Sequence, residues 1–204
     1  MDTLKIVIIG AGWVALHRHL PSIRQQPQAE VTGIIDRTTE NARTAAASHG
    51  ITNYASIENG FETPWFRDCS ICCVATPPQT HYSLVKRCLE AGKDVITEKP
   101  FVMSHAEADD LQTCARNKAR ILAIVHNFQF SRSASQLLSD IENKELGNII
   151  SVEGIQFSNP RRRLPRWYNA LPGGLFFDES PHLLYMIDRL CKNELKLRSV
   201  MSLP

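Results

Sequence analysis

The chain has 204 residues, 23 basic against 21 acidic side chains, and a formal net charge of +2. Such a near balance, with no basic run longer than Arg161-Arg162-Arg163, offers no footprint for a nucleic-acid backbone or an anionic lipid surface. The longest apolar runs, Ile6 to Ile9 and Ile71 to Ala75, are strand-sized, and the N-terminus lacks a basic-then-apolar secretory layout; the sequence therefore predicts a cytoplasmic protein with neither nucleic acid nor membrane as partner.

In chain order, strand-like apolar runs alternate with helix-length amphipathic segments, the pattern of crossover units that build a parallel sheet. Lys5 to Ile9 reads as a strand, Gly12 to Gln26 as a helix, Val31 to Ile35 as the second strand, Glu40 to His49 as a helix and Thr52 to Tyr54 as a short strand. Then follow a strand over Ser70 to Ala75, a helix over Gln79 to Ala91 with Gly92 as its stop, a strand over Asp94 to Thr97, a helix over Ser104 to Asn117 and a strand over Arg120 to Val125. Ser104 with Glu107 reads as a capping box. The cysteines at 69, 72 and 73 fall on a strand, where neighbouring side chains face opposite ways and cannot converge on one metal, so buried reduced thiols are expected.

After residue 125 the rhythm changes. A helix over Ser131 to Asn143, a Gly147 turn, an alternating strand over Ile149 to Phe157, a Pro/Arg/Gly-rich loop, a helix near Phe177 to Cys191 and a strand candidate over Leu197 to Met201 suit a second, α+β domain that looks cut short. The expected fold is thus α/β: a Rossmann-type doubly wound parallel sheet over residues 1–125, followed by an incomplete α+β domain over 126–204.

Gly10-Ala11-Gly12-Trp13-Val14-Ala15 is G-x-G-x-x-A between a strand and a helix, the setting in which that motif holds a dinucleotide. Gly10 permits the tight turn, Gly12 the approach of a pyrophosphate, and Ala15 close packing of the helix, whose N-terminus offers N–H donors to the anion. Asp36, at the end of the second strand, is placed to accept hydrogen bonds from ribose hydroxyls, and it also reads as a cap for the next helix. Arg37 beside it could instead pair with a 2′-phosphate, so NAD and NADP both remain, with NAD favoured slightly.

Val74-Ala75-Thr76-Pro77-Pro78-Gln79-Thr80-His81, followed by Ala91-Gly92-Lys93-Asp94-Val95-Ile96-Thr97-Glu98-Lys99-Pro100, resembles the Gfo/Idh/MocA oxidoreductases. The resemblance implies that Lys99 lies beside the nicotinamide and the substrate hydroxyl, that Glu98 contacts the cofactor, that Thr76 and Pro77 line the nicotinamide-ribose path, and that His81 helps near the diphosphate. For His81 the alternative is a surface helix residue. Asn127, in His126-Asn127-Phe128-Gln129, falls in the implied substrate pocket, although Gln129 stands where the family often has Arg; a loop turn is its alternative.

Gly173-Gly174 followed by Asp178 and His182 resembles the family's second-domain signature, which implies His182 as acid/base for the alcohol proton and Asp178 as its substrate-binding and catalytic companion. Four residues apart on a helix, the two share a face and could also be a simple helical pair. Pro181 and Tyr185 depart from the family pattern. Arg163, in the basic and aromatic loop running to Arg166-Trp167-Tyr168, could bind an anionic group of the substrate or stand solvated. The resemblance implies hydride transfer between NAD or NADP and a carbinol or carbonyl carbon of a sugar, cyclitol or similar polyhydroxylated compound, in a homo-oligomer if the second sheet is completed. The alternative is a non-catalytic dinucleotide-binding module or truncated pseudo-enzyme.

Overall fold

A computed structural model describes residues 3–157, 159, 164–191, 196, 198–199 and 201. The chain divides into two compact units, Met1–Val125 and His126–Pro204. The first is built on strands β1 (Leu4–Ile9), β2 (Ala29–Asp36), β3 (Tyr54–Ser56), β4 (Ile71–Val74), β5 (Asp94–Thr97) and β6 (Leu122–Ile124). They form one sheet in the order β3-β2-β1-β4-β5-β6, and every pairing is parallel. The chain therefore leaves β1 on one side to build β2 and β3, and returns to its other side with β4. The carboxyl ends of β1 and β4 part at this switch point, where open α/β sheets bind ligands.

Both faces of the sheet are covered, which is why its central strands read as unbroken apolar runs. Val7, Ile9, Cys72, Val74 and Val95 face one core cluster, and Ile6, Ile8, Ile34 and Cys73 face the other. Cys72 and Cys73 thus point to opposite sides of the sheet, as alternation requires. Cys69, Cys72, Cys73 and Cys88 are buried, while Cys114 and Cys191 are partly exposed. Contact with Cys72, followed by burial, raises the Cys69 thiol well above the ordinary range, so it stays a thiol.

The helices of this unit begin where their caps dictate. Thr38 accepts from Asn41 N (3.2 Å) ahead of α2 (Thr39–Ser48), and Ser104 accepts from Glu107 N (3.3 Å) ahead of α6 (His105–Asn117). The return half of the expected capping box goes one residue further back, to Met103 N at 3.0 Å from Glu107. Short helices α3 (Ile57–Gly60) and α4 (Pro64–Arg67) and the longer α5 (His81–Glu90) complete the layers.

One helix departs from regularity. Residues Ala15–His19 form a π turn that continues into α1 (Leu20–Arg24), and Leu20 N donates to Ala15 O, five residues back. Pro21 supplies the reason: it has no N–H to give to His17 O, and its ring would strike that carbonyl in a regular α-helix. A widened turn relieves both conflicts.

The second unit holds a 3-10 turn at Asn127–Phe130, helix α7 (Arg132–Glu142) capped by Ser131, a 3-10 turn at Arg166–Ala170 and helix α8 (Leu175–Leu190). The strand expected over 149–157 does not form. The sequence alternates there, but a strand exists only through a ladder partner, and among the described residues none pairs with this segment. Ile150 and Phe157 in this segment are almost wholly exposed. The strand candidate over 197–201 falls largely outside the described residues. Pro181 stands inside α8, which continues through it.

Candidate active site

The glycine loop follows β1 without a gap. Gly10 N donates to Ile35 O (2.7 Å) and Ala75 N donates to Ile9 O (2.8 Å), so the ends of β1, β2 and β4 are tied together. Gly10 has φ +104°, and a Cβ there would lie 2.4 Å from Ala75 O. The fold itself requires glycine at this position. Gly12 differs: its φ is not in the left-handed region, and a Cβ would meet only Ala75 O at 3.9 Å, an ordinary contact. Among the described residues nothing asks for glycine at 12. Ala15 is fully buried against the second core cluster, which brings the helix close to the sheet. Leu16 N is the donor to Gly12 O, and the N–H groups of the turn before it precede the helical ladder.

Asp36 sits at the end of β2. One carboxylate oxygen accepts from Ala11 N (2.8 Å) and the other from Asn41 Nδ2 (3.1 Å), so the acid is held against the glycine loop. The helix cap that Asp36 might have supplied comes instead from Thr38, the residue directly ahead of α2. Arg37 is exposed beside it. Trp13 and Val14 are exposed at the loop, and Trp13 stacks on His17 with ring centroids 5.1 Å apart while the Arg18 guanidinium lies over it.

On the other side of the switch point, Thr76 and Pro77 follow β4, and Thr80 Oγ1 donates to Thr76 Oγ1 (2.8 Å). His81 is not a surface residue: its ring is fully buried, with Nδ1 2.9 Å from Pro100 O and 3.1 Å from Phe101 O, and Nε2 2.8 Å from Thr76 O. Burial lowers its pKa, against the carbonyls that would favour the cation. As a neutral ring the imidazole carries one N–H, so it donates to one of the two turns, Thr76-Pro77 or Lys99-Pro100, and packs against the other.

Glu98 and Lys99 follow β5 directly, and the Lys99–Pro100 peptide is cis. Glu98 Oε2 accepts from Lys99 N (3.1 Å), while Oε1 lies 2.8 Å from His19 Nε2. Both side chains of this pair are only 15% exposed. Burial opposes charge on His19, but hydrogen bonds to Cys73 and Glu98 outweigh it and push the imidazole up to about 10. His19 was not visible in the sequence as a site residue, because its direction depends on the π turn.

In the second unit, α8 starts at Gly174, whose φ +55° and ψ −126° only glycine adopts readily. Asp178 and His182 are both buried on one face of α8. Tyr168 donates its hydroxyl to Asp178. His182 stacks on Phe128 with centroids 4.2 Å apart, and its Nδ1 lies 2.8 Å from the Tyr185 hydroxyl, which accepts from Phe128 N (3.1 Å). Burial raises Tyr185, with the Phe128 amide pulling the other way, so the phenol keeps its proton and can donate to His182. His126 stacks on Tyr185 at 4.3 Å. Tyr168, Phe128 and His126 were missed in the sequence; Tyr185, three residues beyond His182, carried the one periodic signal that could have found it. Asn127 is exposed in its 3-10 turn. Arg163 lies outside the described residues.

Residues 4–126 match the family model of the oxidoreductase family with an NAD-binding Rossmann fold, GFO_IDH_MocA. The chain belongs to this family. It is 28% identical over 186 residues to the uncharacterized oxidoreductase YdgJ of Escherichia coli, covering 90% of this chain and 52% of that protein. It is also 28% identical over 196 residues to a dTDP-3,4-didehydro-2,6-dideoxy-α-D-glucose 3-reductase of Streptomyces violaceoruber, covering 96% and 56% of the two chains. Among solved structures, KijD10, a 3-ketoreductase of Actinomadura kijaniata crystallised in an open conformation with TDP-benzene and NADP, superposes with a TM-score of 0.63 at 25% identity, over 70% of this chain and 44% of that one. The chain spans about half the length of the curated relatives it matches. Among the described residues no helix is long and apolar enough to cross a membrane.

Proposed function

We propose that the chain carries the cofactor-binding part, and the start of the substrate-binding part, of an oxidoreductase that moves a hydride between NAD or NADP and a carbinol or carbonyl carbon of a sugar, cyclitol or similar polyhydroxylated compound. The observation that carries the reading is Gly12, whose missing side chain the fold does not need and a pyrophosphate does. The sugar substrate class draws on the 3-reductase and 3-ketoreductase relatives. A bound nicotinamide supplies the hydride donor or acceptor; the chain's own residues hold it and manage the proton.

In this reading Gly10, Gly12, Trp13, Val14 and Ala15 seat the pyrophosphate, and Thr76, Pro77 and Glu98 contact the nicotinamide half. Asp36 turns from its Asn41 contact to a ribose hydroxyl pair; its charge repels a 2′-phosphate, which favours NAD, whereas the exposed Arg37 is the side chain that would accept one. Lys99 orients the reacting oxygen. His182 exchanges the alcohol proton through Nε2, since its Nδ1 faces Tyr185, and Asp178 assists from the same helix face. Asn127 and Arg163 are proposed substrate contacts.

The test is a fluorescence titration with NADH and NADPH together with a turnover assay over a panel of polyols and keto-sugars. Lys99→Ala should lower turnover by about a thousandfold while leaving dinucleotide affinity within about threefold. Undiminished turnover in that variant would refute the role of Lys99, and binding without any turnover would leave only a dinucleotide-binding module.

A further inference from the structure

Glu98 is held from two directions. Its Oε2 closes onto the amide of the next residue, Lys99 N at 3.1 Å, so the carboxylate folds over the turn that carries the lysine. Its Oε1 is taken by His19 Nε2 at 2.8 Å, in a pair with only 15% of each side chain exposed. His19 comes from the far end of the π turn, which opens two residues into the helix of the glycine loop. The other titratable group on this imidazole is the Cys73 thiol of β4, beneath the same loop. Three strand ends therefore meet on one ring: the loop after β1 supplies it, β4 supports it, and the turn after β5 is fastened to it.

A buried carboxylate without a partner is costly, and a charge-assisted bond is roughly twice as strong as a neutral one. The arrangement is most favourable when the imidazole carries both ring protons, and the proton on Nε2 then fixes which carboxylate oxygen is left for Lys99 N. We propose that His19 is a positioning residue, an imidazolium that clamps Glu98 and thereby fixes the Glu98-Lys99 turn to the glycine-loop helix. It touches neither substrate nor hydride; it sets where Lys99 stands relative to the loop. The inference rests on the reading of Lys99 given under the proposed function, and Pro21 enters it as the residue that opens the turn.

The experiment is an NMR titration of the His19 ring in the 204-residue chain, combined with hydrogen exchange at the Lys99 amide. The ring should remain an imidazolium up to about pH 9 and should lose its proton at least about two pH units earlier in Glu98→Gln. In His19→Ala the Lys99 amide should exchange about tenfold faster, with the Val95 amide of β5 changing less than about threefold as the control for global loosening. His19→Gln keeps a donor without the charge and should recover only part of that protection; it also serves if the alanine variant fails to fold. A wild-type ring that titrates between about pH 6 and 7, or a Lys99 amide indifferent to both substitutions, overturns the proposal. An NADH titration of the wild-type chain separates the two readings: if no dinucleotide binds, the functional reading fails while the exchange and titration results still decide the clamp.

Discussion

Gly10 and Gly12 look alike in a motif and differ in physics. The first is demanded by the fold: its backbone is left-handed, and an added methyl would lie inside contact distance of the Ala75 carbonyl. Gly10→Ala should cost about 2 kcal/mol or more, read from urea unfolding. Gly12→Ala meets nothing closer than 3.9 Å and should leave stability within about 0.5 kcal/mol, while weakening dinucleotide affinity at least about tenfold if a pyrophosphate sits there. Equal loss of stability in both variants would contradict this division. Spacing alone shows two glycines; only the surroundings show that the fold requires the first and not the second. Residue types at strand ends were legible in the same limited way. Glu98 and Lys99 stand where the sequence placed them, after β5, but the partner that holds Glu98 came from a helix face no periodicity could have indicated.

Among the elements, strands and caps of the first unit were legible because each carries its own signal: apolar runs for β1, β4 and β5, and Ser104 for α6; Ser131 does the same for α7 in the second unit. What escaped was set by partners. The expected strand over 149–157 needs a neighbour to exist. The π turn needs the clash between Pro21 and the carbonyl behind it, a local conflict that average helix patterns pass over. The buried position of His81 is of this kind too, since its neutral ring lies between the turns after β4 and β5 and donates its one N–H to a backbone carbonyl there. His81→Leu should keep the volume and lose the hydrogen bond, at a cost of about 1 to 3 kcal/mol, because the carbonyl it served is left buried without a donor. Retention of wild-type stability, measured by the urea midpoint at constant m-value, would show that the ring only fills space.

Across the whole first unit, the part-buried His19 and the buried His81 oppose one another in pH dependence. His19 holds its proton more tightly folded than unfolded, so the native state binds more protons above neutrality and stability falls with rising pH. Its contribution is complete below about pH 6.5 and is lost as the pH rises towards about 10. His81 is lowered by burial, so its contribution is complete above its unfolded value of 6.5 and is lost as the pH falls through its lower folded value. Urea unfolding from about pH 5 to 10 should therefore give a maximum near neutrality. His19→Gln should flatten the alkaline limb alone, and a limb that keeps its slope in that variant would assign the effect elsewhere. The thiols offer a way to time such openings. Four of them, Cys69, Cys72, Cys73 and Cys88, are sealed between the layers, and two, Cys114 and Cys191, reach solvent in part. A thiol-reactive chromophore should label this chain in two kinetic phases, two equivalents quickly and four more only as fast as the sheet comes apart, so the cysteines act as a clock for the rarest excursions of the native state without any added probe.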